Sequence, residues 1–448
     1  MKIKKWKSWL SLGITGSAAL ILAACGGGEA ADGTDTGGDA ASGDKIHLEM
    51  WSFWGEGARR DAIEAALDEY NSSQDEIEVE YVYQPWGDIW TKSLAAIAAG
   101  NPPDIIVQDI NSVRQRADAE QATNIQQYLD QEEEDIQSRF YPQLWDTVIH
   151  EGEAYALPFN TDTQVLFYNK DMFEEVGLDP ETPPATWTEL EEAARALDVK
   201  NGDNWERIGF YPRWSIGADV WALNADGGTS WFDEEDNVKV NTPNKVAALE
   251  WMLEWQDYYG SDTINRYEAE FGQGIADPFI SGLVGMRGQN INYYLSLRDN
   301  APEDFNFGVA PLPEYEEGSG NWSWGGGFVL EIPQGAENPE ASYEVMKYLT
   351  STEVQEQFGM DSFDIMANQE ANENLMEHPD LTEKGREMYQ MAHKNLENTV
   401  ITPVPLTAPD FNPLINGQID EAFLGNKSAK EALDEAQASV ENLVEQHQ

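Results

Sequence analysis

Cysteine is nearly absent: the 448-residue chain holds one, Cys25. A single thiol excludes an internal disulfide framework and any multi-cysteine metal site. Histidine is also sparse. His47, His150, His378, His393 and His447 are scattered, and no two stand four apart, as a helical zinc pair requires. Basic residues number 27 against 82 acidic ones, for a formal net charge of -55. A field of that sign and size opposes nucleic acids and anionic membrane surfaces as partners. It suits high salt, where the Debye length shrinks to about 3 Å at 1 M, and a halophilic habitat is the expectation. After the first two dozen residues no apolar run is long enough to span a bilayer.

Several catalytic signatures are missing as well. No Gly-x-Ser-x-Gly elbow, Walker loop or strand-linked Gly-x-Gly-x-x-Gly occurs. Gly325-Gly326-Gly327 has neither the spacing nor the following helix. The acidic loop Asp233 to Asn241 lacks the sixth-position glycine and the terminal glutamate of a calcium loop. Carboxylates are so numerous that a glycosidase pair cannot be singled out. The expectation is a protein without a catalytic constellation, cofactor or metal.

What is present begins at the N-terminus. Lys2, Lys4, Lys5 and Lys7 precede an apolar stretch from about Trp9 to Leu22, which ends in Leu22-Ala23-Ala24-Cys25. This is the layout of a secretory signal peptide over 1–24. Leu-Ala-Ala-Cys resembles the bacterial lipobox, which implies a diacylglycerol group on Cys25 and a chain tethered outside the cytoplasmic membrane. Residues 25–44 carry no large apolar side chain and read as a disordered acidic tether. The remaining length predicts two domains.

Periodicity gives the fold class. Ile46, Leu48 and Met50 alternate as a strand, and Ala62, Ile63, Ala66, Leu67 and Tyr70 share a helical face. Ile77, Val79, Tyr81 and Tyr83 alternate again; a helix follows to Ala99, then the apolar Ile105-Ile106-Val107. Strand, helix, strand, helix, strand predicts an α/β sheet. Thr188-x-x-Glu191 and Ser428-x-x-Glu431 read as capping boxes, and Asn338-Pro339 opens a helix.

Tryptophans stand where these patterns fail. Trp51 and Trp54 follow the first strand, Trp214 and Trp221 lie in a Gly/Pro-punctuated stretch, and Trp322 and Trp324 precede three glycines. Such rings either pack between domains or stack on a ligand, and an indole with its N–H suits a sugar. Trp251 and Trp255, four apart on one helix, read as core.

Longer segments resemble family 1 extracellular solute-binding proteins, the sugar-type receptors of ABC importers. They are Glu151-Gly-Glu-Ala-Tyr155-Ala-Leu-Pro158, Leu166-Phe-Tyr168-Asn169-Lys170-Asp171 and Pro184-Ala-Thr-Trp187. Ala98-Ala-Gly100-Asn-Pro102-Pro-Asp104, Phe279-Ile-Ser-Gly282-Leu-Val-Gly-Met286 and Gly308-Val-Ala-Pro-Leu-Pro313 follow the same family order. Asp364-Ile365-Met366-Ala367 departs from it by lacking a proline. The resemblance implies a two-lobed periplasmic-binding-protein fold, each lobe a mixed sheet flanked by helices, with a ligand cleft between them. It places the first lobe at 45–160 and 286–326 and the second at 161–285 and 327–448. It implies a monomeric, non-enzymatic receptor that captures a sugar or oligosaccharide by lobe closure and passes it to the membrane permease. The expected ligand set is Trp51, Trp54, Trp214, Trp221, Trp322 and Trp324 for stacking, with Asp109, Asn160, Asp162 and Gln289 for hydroxyl groups. Gly325, Gly326 and Gly327 are the expected hinge. A non-sugar solute such as a polyamine, held by aromatic rings and carboxylates, and a secreted glycosidase are the alternatives.

Overall fold

The computed structural model describes residues 45–233 and 235–447; the signal segment, Cys25 and the tether lie outside them. From Lys45 onward the chain forms one compact unit. Its principal strands are β1 (Ile46–Ser52), β2 (Ile77–Tyr83), β3 (Ile105–Asp109), β4 (Ala156–Thr161), β5 (Gln164–Asn169), β6 (Met286–Asn290), β7 (Phe307–Pro311), β8 (Ser323–Gly325), β9 (Gly327–Glu331), β10 (Ile365–Met366) and β11 (Thr399–Ile401).

Two sheets organise the molecule. The first runs β10-β4-β9-β3-β1-β2. Its β1–β2 and β1–β3 pairs are parallel, as βαβ connections dictate, whereas β9 lies antiparallel to both β3 and β4. The helix Ala58–Ser73 covers it by burying Ala62, Ile63, Leu67 and Tyr70, and packs against Thr352–Ser362. The second sheet runs β6-β5-β7, antiparallel at both edges. Against it lies the parallel pair β8–β11. Helices Trp187–Leu197, Gly217–Ala225 and Pro243–Tyr259 belong to this body, and the C-terminal pair Phe411–Phe423 and Ala429–His447 packs on the last of them. The molecule is thus an α/β protein of two lobes. Among the described residues no helix is long and apolar enough to cross a membrane.

The caps are largely where the sequence puts them. Ser428 and Glu431 exchange backbone and side-chain bonds as a full capping box. Pro339 occupies the first turn after Asn338. The other box sits two residues earlier than expected: Thr186 accepts from the Glu189 amide, and Glu189 accepts from the Ala185 amide.

The expected lobe boundaries do not follow the strand pairing. Met286–Asn290 and Phe307–Pro311 flank β5 in the second sheet, although 286–326 was expected in the first lobe. Gly327–Glu331 and Ile365–Met366 complete the first sheet, although 327–448 was expected in the second. The reason is burial on both faces: Leu330 stands opposite Val107 and Leu157, and all three are fully buried. The chain passes between the sheets at Asp162–Thr163, at Gly326, and between β10 and β11, and not at Met286.

Candidate functional site

Where β1 ends, alternation gives way to Phe53-Trp54-Gly55, and the chain turns over the C-terminal edge of the sheet. Trp54 packs against Phe159 and Phe358 at 5.6 and 5.7 Å. Phe53 faces Phe328 at 4.8 Å and Trp86 at 4.6 Å. Trp86 belongs to the turn Gln84-Pro85-Trp86-Gly87 after β2, closed by the Asp88 amide donating to the Pro85 carbonyl. Its second neighbour is Trp90 at 4.7 Å. These rings bound a cleft of about 920 Å³ whose far wall is Asn292 and Leu295, from the segment after β6. Both sheets therefore contribute to it. The Gly55 backbone lies close against Tyr83, where an added Cβ would come 2.7 Å from the ring. Trp86 and Tyr83 remain 60% and 47% exposed at its mouth.

Polar groups meet at one carboxylate beneath the cleft. Asp364, its side chain 1% exposed, accepts from Arg59 Nε at 2.7 Å and Arg59 Nη2 at 2.6 Å. It also accepts from Asn160 Nδ2 at 3.1 Å and from Asn292 Nδ2. Arg59 and Asn292 line the cleft, so Asp364 orients both. The carboxylate outweighs burial and holds the Arg59 guanidinium above its ordinary pKa. Trp54 Nε1 and Asn292 Oδ1 are buried without a partner.

Beside this hub the crossings are pinned together. Asp162 accepts from the Gly326 amide at 2.8 Å and from Asn290 Nδ2 at 2.6 Å. Burial pushes the Asp162 carboxyl up, opposed by the Gly326 amide and Arg59. Asn160 Oδ1 accepts from the Phe328 amide.

A second, smaller cavity of about 210 Å³ is lined by Trp324, Asn111, Asp219, Phe411 and Asn416. Trp324 Nε1 donates to Thr402 Oγ1 at 3.1 Å. Burial raises the Asp219 carboxyl, and the Trp231 indole N–H donating to it at 3.0 Å works the other way. Asn111 Oδ1 is buried and unpartnered. An aromatic cleft joined to buried amides and carboxylates can hold a polar, hydroxyl-bearing solute between two bodies; among the described residues no group of three or more His, Cys, Asp or Glu could hold a metal ion.

The sequence model of a family described as bacterial extracellular solute-binding protein matches residues 56–356. The chain belongs to that family. A maltotriose-binding protein of Pyrococcus abyssi is 25% identical over 63% of this chain and 59% of its own length. The sn-glycerol-3-phosphate-binding periplasmic protein UgpB of Pectobacterium atrosepticum is 24% identical over 86% of this chain and 88% of its own. Among solved structures, CpMnBP1 with mannobiose bound is 25% identical with a TM-score of 0.76, covering 89% of this chain and 100% of that one. The same protein with mannotriose bound gives 26% and 0.75, covering 88% and 100%.

In this solute-binding protein the expected site residues separate into groups. Trp54 lines the larger cavity and Trp324 the smaller. Asn160 and Asp162 sit at the crossing, but their polar atoms hold Asp364, Gly326 and Asn290. Asp109 accepts from the Asn111 amide and shapes the turn after β3; burial raises its carboxyl.

Others fall away from both cavities. Trp214, 2% exposed, packs among Tyr211, Tyr267 and Phe271. Trp221, 0% exposed, packs on Trp187, Phe210 and Trp251 and donates to the Pro212 carbonyl. Both are core of the second lobe: Trp221 has its N–H satisfied by a backbone acceptor, and Trp214 is enclosed by other rings although its N–H is unpartnered. Trp322 is wedged between Gly228 and Gly320. Trp51 bonds Glu49 from within β1, and Gln289 accepts from its own neighbour, Asn290. Phe53, Arg59, Tyr83, Trp86, Asn292 and Phe328 were missed. Trp86 stood at the start of the helix expected to run to Ala99, but the helix begins at Asp88 and leaves Trp86 in the turn Pro85-Trp86-Gly87.

Proposed function

We propose that this solute-binding protein captures a neutral carbohydrate between its lobes and delivers it to the permease of an ABC importer. The observation that carries the reading is the cleft itself: the aromatic rings of Phe53, Tyr83 and Trp86 share its lining with Asn292 and Arg59. Sugars present apolar C–H faces and hydroxyl edges, and such a lining meets both. Relatives that bind maltotriose, mannobiose and mannotriose support it. The mechanism is differential affinity: a sugar touching both lobes favours the arrangement that brings them together. Gly325 to Gly327 would act as the hinge, with Asp162 pinning the Gly326 crossing to its neighbour. The protein works as a monomer, exported by residues 1–24 and held at the membrane by lipid on Cys25; the tether raises its concentration beside the permease.

A phosphate ester is the competing solute, since UgpB binds sn-glycerol 3-phosphate. Arg59 is the cation on the cleft wall, but Asp364 already occupies two of its donors, which favours an uncharged ligand. The test is titration of the chain beginning after Cys25 with neutral sugars, glycerol 3-phosphate and spermidine in high salt, followed by tryptophan fluorescence and calorimetry. Saturable binding of a sugar is expected. Binding of only the phosphate ester or only the polyamine would overturn the carbohydrate reading.

A further inference from the structure

The cleft carries two large exposed rings, Trp86 and Tyr83, besides its polar lining. Ligand pockets run to about 300–1,000 Å³, and this one, at about 920 Å³, lies near the top. Its inner end is polar, where Asn292 and Arg59 meet above Asp364. Its outer end is aromatic and wet, with Trp86 60% and Tyr83 47% exposed.

These exposed rings are each backed by neighbours. Trp86 stands nearly perpendicular to Phe53 and to Trp90, at 85° and 80°. Its turn is closed by the Asp88 and Ile89 amides on the Pro85 carbonyl, with Gly87 supplying the positive φ of 85°. Tyr83 lies against the Gly55 backbone, where an added Cβ would come 2.7 Å from its ring. A platform held this way loses little freedom when a ligand covers it, so stacking there converts efficiently into affinity.

We infer that the natural ligand is a linear, uncharged oligosaccharide longer than a disaccharide, one end at the Asn292–Arg59 floor and an outer ring stacked on the Trp86–Tyr83 platform. This rests on the carbohydrate reading above and adds chain length to it. The platform is a length-selective subsite, and its ligand is defined by repeated C–H faces rather than by a charged group.

Calorimetric titration with the malto- and manno-oligosaccharide series, from one to five units, tests it on the wild type, Trp86→Ala and Trp86→Phe. In the wild type, affinity for the better-bound series rises about tenfold between the disaccharide and the longer members and then levels off. In Trp86→Ala the ratio of long-chain to disaccharide affinity falls to about one, and Trp86→Phe restores most of it. Equal thermal midpoints show that the exposed substitution leaves the fold intact. Wild-type affinity independent of length, or a loss in Trp86→Ala that is the same at every length, overturns the inference and leaves carbohydrate binding standing. Failure of every member of both series to bind counts against the carbohydrate reading itself, and the inference falls with it.

Discussion

Replacing Asp364 by asparagine tests the organisation of the cleft floor most directly. Each carboxylate oxygen takes one bond from Arg59 and one from an asparagine: Oδ1 from Nη2 and Asn292, Oδ2 from Nε and Asn160. An amide offers one oxygen and one NH2, so in either orientation one guanidinium bond and one asparagine bond are lost and two donors face a third. Bonds to charged groups contribute about 1.5–3 kcal/mol each. Arg59 is about one-third exposed, so water recovers part of the loss, and about 3 kcal/mol is expected in total. With an unfolding entropy of about 2.1 cal/mol/K per residue over about 400 residues, that lowers Tm by about 4 °C. Calorimetry on the wild type, Asp364→Asn, Arg59→Met and the double variant measures it. The double variant should cost less than the sum of the singles by more than about 1 kcal/mol, because the partners share one interaction. Strict additivity, or an unchanged Tm in Asp364→Asn, would refute the reasoning.

Three further outcomes are expected. Trp221→Ala loses roughly 3–5 kcal/mol in denaturant titration, the range for a large buried ring; a large loss of sugar affinity at unchanged stability would instead return Trp221 to the ligand set. Asp219→Asn keeps an acceptor for the Trp231 indole. Because burial raises the Asp219 pKa, ionisation destabilises the fold: the two proteins converge below the ordinary aspartate value, and the wild type falls behind as pH rises through the raised one. A Tm difference that does not change with pH would contradict this. Raising KCl from about 0.1 to 1 M shortens the Debye length from about 10 to 3 Å and should raise Tm, given a net charge of -55; a fall in Tm would remove the case for self-repulsion.

The sequence announced its elements better than their partners. Alternation at Leu48 and Met50, and at Val79, placed β1 and β2 because one face of each is buried. Nothing local told Met286–Asn290 to join β5, or Gly327–Glu331 to join β3 and β4. Strands such as Ala156–Thr161, buried at every position, have no periodicity from which to read a neighbour. The site was legible in part for the same reason. Loop tryptophans were found, yet exposure decides which of them can meet a ligand, and it depends on distant packing. Trp221 is covered by Trp187 and Trp251 from two other helices, whereas Trp86 stays 60% exposed. Arg59 and Asn292 became visible only through Asp364, far from both in sequence.

The return of the chain to its first sheet has a consequence for time rather than for shape. β4 at Ala156–Thr161 obtains its partners only when Gly327–Glu331 and Ile365–Met366 arrive, so the sheet cannot close on a nascent or half-threaded chain. Pairings this distant in sequence make folding slow. If residues 1–24 export the chain unfolded, as proposed, that slowness is protective: the same wiring keeps the chain pliable until Gly327–Glu331 and Ile365–Met366 have crossed.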